Sequence, residues 1–142
     1  MNHARDSLGT RMKDYESVPR VRLVPKMPVL ARLDGKAFHT LTRGLEKPVD
    51  WGFVRCMHAA ARALCEEVQG CKLAYVWSDE ITLLLVDYED RKTQPWFDYE
   101  VQKMCSVSAS TATQAFSEAY RLEFSGRGGS ALFDARFWNV PP

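Results

Sequence analysis

The sequence predicts an α+β domain with the order strand, helix, strand, strand, helix, strand. Three observations predict it. Apolar runs rich in β-formers occur at 28–34, 71–77, 81–88 and 131–140. Two stretches with apolar residues at helical spacing, 51–69 and 96–120, separate them. The 142 residues, 46% hydrophobic and 26% charged, are enough for one core and too apolar for a disordered chain. This order is the split βαβ, ferredoxin-like βαββαβ arrangement, an antiparallel sheet with both helices on one face.

The chain opens with a polar segment, 1–27, read as an N-terminal extension. It mixes Arg5, Arg11, Lys13, Arg20, Arg22 and Lys26 with Asp6, Asp14 and Glu16. A helix fits around 7–17, and Pro19, Pro25 and Pro28 punctuate the approach to the first strand. A solvated face is the plain reading of these charges.

The folded domain is expected over 28–142. Strand one ends in Asp34-Gly35, where glycine is expected to permit a turn that other residues resist. Lys36-Ala37-Phe38-His39 follows, with backbone amides suited to facing a triphosphate. Asp50 is placed to cap the first helix, whose apolar positions include Phe53, Val54, Met57, Ala61, Leu64, Cys65 and Val68. Gly70 closes that helix, and His58 within it reads as structural or exposed. Only Ser78-Asp79-Glu80 separates strands two and three, so they form a tight hairpin. Pro95 can open the second helix, which is rich in Ser, Thr and Ala over 106–115. Ser125-Gly126-Arg127-Gly128-Gly129-Ser130 reads as a linker before strand four.

Composition excludes several classes. A net charge of +1 gives no global polyanion signature, so any nucleic acid must meet a local patch. Cys56, Cys65, Cys71 and Cys105 form no Cys-x-x-Cys and no zinc spacing. They read as buried thiols in a reducing compartment, hence a cytoplasmic protein. The first 17 residues carry no apolar signal region, and no later run is long enough to span a bilayer.

Two acidic motifs carry the chemistry. Asp34 ends strand one, and Asp79-Glu80 sits at the hairpin bend. The fold brings the end of strand one beside that hairpin, so Asp34 and Asp79 are expected to meet. Two carboxylates at one sheet edge repel, and a cation relieves the repulsion. The expectation is a Mg²⁺ site for nucleotidyl transfer at Asp34 and Asp79, with Glu80 nearby. Such transfer needs charge neutralisation rather than a covalent nucleophile, and two ions can clamp the attacking and leaving oxygens.

The chain resembles the tRNA-His guanylyltransferase family, including the Thg1-like proteins that add nucleotides in the 3′-to-5′ direction. The resemblance rests on Arg32-Leu33-Asp34-Gly35-Lys36-Ala37-Phe38-His39, Glu46-Lys47-Pro48 with Asp50, Ala74-Tyr75 with Ser78-Asp79-Glu80, Gln102-Lys103, and Phe133-Asp134-Ala135-Arg136 with Pro141, in the family's order. It implies a polymerase-like palm acting on the 5′ end of a tRNA, with two Mg²⁺ ions and with GTP and ATP as substrates. Asp34 and Asp79 match metal-binding carboxylates, Gly35 a backbone-carbonyl ligand, and Glu80 their acidic neighbour in metal binding or catalysis. The segment Asp34, Gly35, Lys36, Ala37, Phe38, His39, with Ser78 and Asp79, matches the nucleotide-binding pieces. Lys47 and Lys103 match basic residues for triphosphate or 5′-end contacts. The resemblance also implies a homo-oligomer, a tetramer in the family.

There are departures. Val49 stands where many members have Asn, and Trp96-Phe97-Asp98-Tyr99-Glu100 replaces an arginine-rich run of eukaryotic members. That makes the chain closer to the bacterial and archaeal Thg1-like branch. Family members continue beyond strand four into a helical region that contacts tRNA, where this chain stops. Two other readings stay open: a nucleotidyl cyclase, although the Gly-Gly-Asp-Glu-Phe hairpin is absent, and a noncatalytic GTP- or RNA-binding palm.

Overall fold

A computed structural model describes residues 7–141. Its elements are α1 (Ser7–Ser17), β1 (Val29–Gly35), α2 (Phe38–Leu41), α3 (Trp51–Glu67), β2 (Cys71–Trp77), β3 (Glu80–Leu85), a single turn at Trp96–Tyr99, α4 (Val101–Glu123) and β4 (Phe133–Asn139). The sheet order is β2-β3-β1-β4, and every neighbouring pair is antiparallel. This is the expected βαββαβ palm topology.

Alternation along the strands decides the two faces. Val29, Ala31 and Leu33 of β1 and Ile81, Leu83 and Leu85 of β3 are fully buried beneath the helices. Met57, Ala60 and Leu64 of α3 and Met104, Ala112 and Phe116 of α4 cover them. The small residues of α4 let it lie close to the sheet and to α3. Their hydroxyls are satisfied along the helix: Ser108 Oγ donates to the Cys105 carbonyl at 3.2 Å. Thr113 Oγ1 accepts from the Phe133 amide at 3.1 Å, pinning α4 to the start of β4.

Phe38 enters this core from the one-turn helix α2. Its ring lies 5.0 Å from Phe116 and 5.1 Å from Phe133. Such aromatic contacts add about 0.5–1.5 kcal/mol each beyond burial. The other face of the sheet is open. It carries Tyr75 and Trp77 of β2, Arg32 and Asp34 of β1, and Asp134, Arg136 and Trp138 of β4.

Most element ends shift by one to three residues from expectation, and the larger shifts have a structural cause. Phe97, Asp98 and Tyr99 all take left-handed backbone angles, with φ of 48°, 53° and 54°. The second helix therefore begins at Val101, not near 96. Left-handed backbone costs roughly 1–2 kcal/mol per residue. Contacts with the preceding segment hold it: the Leu23 amide donates to the Tyr99 carbonyl at 3.0 Å, and Arg22 pairs with Asp98 at 3.2 Å. Strand three stops at Leu85 rather than Tyr88, because Asp87 turns inward. Both of its carboxylate oxygens accept from the Lys26 amide at 2.9 Å. The strand also starts one residue earlier, at Glu80. No helix among the described residues is long and apolar enough to cross a membrane.

Candidate active site at the end of the central strands

Asp34 faces solvent on the open side of β1, two residues after Arg32. Its Cα partners are Glu80 on β3 and Asp134 on β4. Three carboxylates therefore stand abreast across adjacent strands, which lie about 4.8 Å apart in any sheet. Two arginines sit among them. Asp34 Oδ2 accepts from Arg32 Nε and from Arg136 Nη1, each at 3.2 Å. Arg32 also reaches Glu80 at 3.7 Å, and Arg136 reaches Asp134 at 3.6 Å. The repulsion expected among the acids is offset by guanidinium charge already on the sheet.

The register refines the sequence expectation. Glu80, not Asp79, is the cross-strand partner of Asp34. Asp79 lies in the two-residue turn beside Ser78, whose φ is 54°. That turn is fixed to β1 through the main chain, since the Gly35 amide donates to the Asp79 carbonyl at 3.0 Å. The main chain thus ties Asp79 to the end of β1, while the Asp34 side chain stands in the row with Glu80 and Asp134.

Gly35 is needed for a reason other than the one expected. Its backbone is not in the left-handed region. A Cβ there would meet the Phe38 ring at 2.6 Å, so glycine lets the ring pass under the strand end. The left-handed step falls on Ala37, with φ 55° and ψ 33°, and turns the chain into α2. The Lys36 amide donates to the Leu132 carbonyl at 2.8 Å, while the Lys36 and His39 side chains are exposed.

Next to this edge lies a cleft made of adjoining cavities. One of about 250 Å³ is lined by Phe38, His39, Thr42, Phe53, Ser78 and Asp79. A second, of about 130 Å³, adds Lys47, Pro48 and Asp50. A third, of about 490 Å³, runs over Val49, Met57, His58 and Trp77. Ser78 and Phe53 line all three, so the cleft is continuous from Asp79 to the start of α3. A larger cavity, about 520 Å³, lies at the end of α4 around Arg121 and Arg127 and is lined also by Ser130 and Ala131 ahead of β4.

Asp50 shapes the cleft floor. Its Oδ1 accepts from the Phe53 amide at 3.0 Å and its Oδ2 from the Glu46 amide at 3.1 Å. It caps α3 as expected and folds the 44–50 loop onto the helix start. The Phe53 amide, foremost, holds the Asp50 carboxyl below the usual range.

Lys103 is not brought to this site. It lies on the first turn of α4, 4.7 Å over the Phe97 ring. Phe116, which touches Phe38, lies 13 residues further along the same helix, about 20 Å at 1.5 Å per residue. Lys103 therefore sits at the opposite end of the sheet from Asp34. Asp134 and Arg136, conversely, stand in the sequence only as parts of a strand motif. Their alternation two residues apart, matching Arg32 and Asp34, is the signal that could have placed them together.

The oxygen donors suit a hard cation: the Asp34, Asp79 and Glu80 carboxylates and the Gly35 carbonyl. Mg²⁺ is usually held by one or two carboxylates, with phosphate and water oxygens completing its shell. This edge matches that pattern better than a closed cage. Among the described residues, no three His, Cys, Asp or Glu side chains converge as a ready-made metal cluster.

Comparison with known proteins agrees with the fold. The family model described as tRNAHis guanylyltransferase matches residues 9–141. An uncharacterized protein of Acanthamoeba polyphaga mimivirus is 30% identical over 156 residues, covering 95% of this chain and 52% of the viral protein. The tRNA(His) guanylyltransferase of Schizosaccharomyces pombe is 34% identical over 107 residues, covering 74% of this chain and 38% of the yeast protein. A bacterial tRNA(His) guanylyltransferase (Thg1)-like protein, solved in complex with GTP, superposes with a TM-score of 0.91 at 41% identity, over 96% of this chain and 64% of that one. An ATP complex of a protein so described gives 0.90 at 41% identity, over 95% of this chain and 60% of that one. The chain spans about half the length of the viral relative, and less of the yeast one. With the family match spanning nearly all of the sequence and the palm sheet carrying its motifs in register, the chain belongs to the tRNAHis guanylyltransferase family.

Proposed function

We propose that this chain is the catalytic palm of a tRNA 5′-end nucleotidyltransferase. It adds GTP-derived nucleotides in the 3′-to-5′ direction, as a tRNA-His guanylyltransferase or a Thg1-like 5′-end repair enzyme. The observation that carries the reading is the pairing of Asp34 with Glu80 at a strand end whose Gly35 amide is bonded to the Asp79 carbonyl, beside a cleft that Asp79 lines. The bacterial relatives solved with GTP and with ATP support a nucleoside triphosphate as its occupant.

In this reading the triphosphate lies against the Asp34–His39 turn and Ser78. The first amides of a helix have no partner within it, which suits Ala37–His39 to phosphate oxygens. Lys36 and Lys47 add cationic charge, and Lys47 borders the cleft. Asp34, Asp79, Glu80 and the Gly35 carbonyl are the groups that would hold Mg²⁺, two ions in the full reading. When bound, the metal supplies Lewis-acid charge neutralisation at phosphate oxygens. Arg32 and Arg136 orient the Asp34 carboxylate. Phe53, Val49 and Met57 supply the apolar lining of the cleft.

The proposal places the palm in the cytoplasm, on tRNA. It extends to a homo-oligomer, supported by the exposed Leu73, Tyr75 and Trp77 on edge strand β2. The test is incorporation of labelled GTP on a 5′-truncated tRNA by the full chain, compared with Asp79→Asn. Loss of incorporation in the variant, with GTP required, is expected. Equal incorporation would overturn the proposed role of Asp79. Cyclic product from GTP without RNA would replace the reading with a cyclase.

A further inference from the structure

The turn out of α3 brings together two cysteines that the sequence separates by six positions. Cys65 Sγ and Cys71 Sγ lie 3.8 Å apart. Cys65 is exposed on the last turns of α3, contrary to the expectation of a buried thiol. Cys71 is half-buried at the first residue of β2. The turn between them is fixed on both sides. The Cys71 amide donates to the Val68 carbonyl at 3.1 Å, and the Val86 amide to the Gly70 carbonyl at 3.0 Å. Gly70 has φ +83°, and a Cβ there would meet the Val86 carbonyl at 2.6 Å. The backbone thus holds the two sulfurs close.

We propose that Cys65 and Cys71 are a redox-active dithiol, converted by a low-molecular-weight disulfide into an internal disulfide that staples α3 to edge strand β2. A disulfide needs about 2.05 Å between sulfurs, so the pair must close by about 1.8 Å, within the reach of side-chain rotation. The exposed Cys65 reacts first. Its thiolate attacks one sulfur of the small disulfide, the S–S bond breaks, and one small thiolate leaves. Cys71 then gives up its proton, its sulfur attacks Cys65 Sγ, and the second small thiol departs. Two protein thiols are oxidised, and one small disulfide is reduced to two thiols. Cys71 is half-buried behind the exposed Cys65, and burial, with Cys65 as a further cause, pushes its thiol up, so Cys65 is the first to meet a small disulfide. Cys56 is buried and is out of this exchange.

The staple would act where β2 is weakest. β2 is an edge strand, and its pairing with β3 is irregular between Cys71 and Leu73. This end of the sheet is opposite Asp79, so closure tightens the fold without entering the cleft.

The test uses the full chain in graded mixtures of oxidised and reduced glutathione, followed by alkylation, intact mass and peptide mapping. Wild type should become two hydrogens lighter and yield a Cys65–Cys71 linked peptide. Cys71→Ser should stop at a glutathione adduct on Cys65, and Cys65→Ser should leave Cys71 as a thiol. Oxidised wild type should melt roughly 5 °C higher, reversibly with dithiothreitol. A stable adduct on wild-type Cys65, chains linked to one another through Cys65, or no loss of thiols at all would each overturn the proposal.

Discussion

The Gly35 amide donates a 3.0 Å hydrogen bond to the Asp79 carbonyl. This bond joins the end of the central strand to a turn 44 residues away. It fixes the distance between the two acidic motifs through the main chain, independent of either carboxylate. Substituting a side chain at the acidic edge should therefore change chemistry more than shape.

That separation gives the first expectation. Asp34→Asn and Asp79→Asn should each lower GTP incorporation about a hundredfold or more, the size typical of losing a charge-stabilising group at a reacting centre. Circular dichroism and melting should stay close to wild type. A variant that loses activity only in step with lost folded protein would contradict this assignment.

Gly35→Ala tests the strand end differently. The added methyl would sit 2.6 Å from the Phe38 ring, so the ring or the strand must shift. Overpacking of this kind costs about 1–3 kcal/mol, which urea unfolding would register as a lower midpoint. Since the same glycine carries the bond to Asp79, activity should fall with it.

Asp50→Ala removes the cap of α3 and should cost about 1 kcal/mol near neutral pH. The folded carboxyl titrates below its ordinary 3.8, chiefly through the Phe53 amide. A depressed carboxyl stabilises the fold above the unfolded value and loses that effect as pH falls through the folded one. The gap between wild type and Asp50→Ala should thus persist down to the ordinary carboxylate range and shrink below it. Melting curves from pH 7 to about pH 3 would show the convergence. A gap that widened on acidification would contradict the cap.

Phe116→Ala should be the most damaging core change. The ring is fully buried and meets Phe38, Phe53, Phe133 and Tyr120. Deletion of such a side chain costs about 3–5 kcal/mol. Because Phe38 rests on it, the Asp34–His39 turn should loosen too, and GTP affinity should fall along with stability in an equilibrium binding assay.

The two acidic motifs were legible because strand ends and hairpin turns are written locally. Alternation marked β1, and Ser78-Asp79 between two apolar runs marked the bend. The role of Gly35 was not legible. A glycine after Asp suggests a turn, while the real constraint is a ring three residues on. The left-handed Phe97–Tyr99 turn was also hidden, since helix-forming spacing runs straight through it and only the contact with Leu23 and Arg22 selects the strained backbone.

By itself the sequence determined the order of strands and helices, the capping Asp50, the acidic residues at the sheet edge and the family. Those follow from periodicity and motifs, which depend on near neighbours. The tertiary structure alone decided that Glu80 and Asp134 flank Asp34, that Arg32 and Arg136 hold its carboxylate, that Lys103 lies about 20 Å along α4 from the level of Phe38, and that Cys65 faces Cys71. The strand pairings among these are matters of register. That register is set by which apolar face must be buried, a property of the whole sheet and not of any one segment.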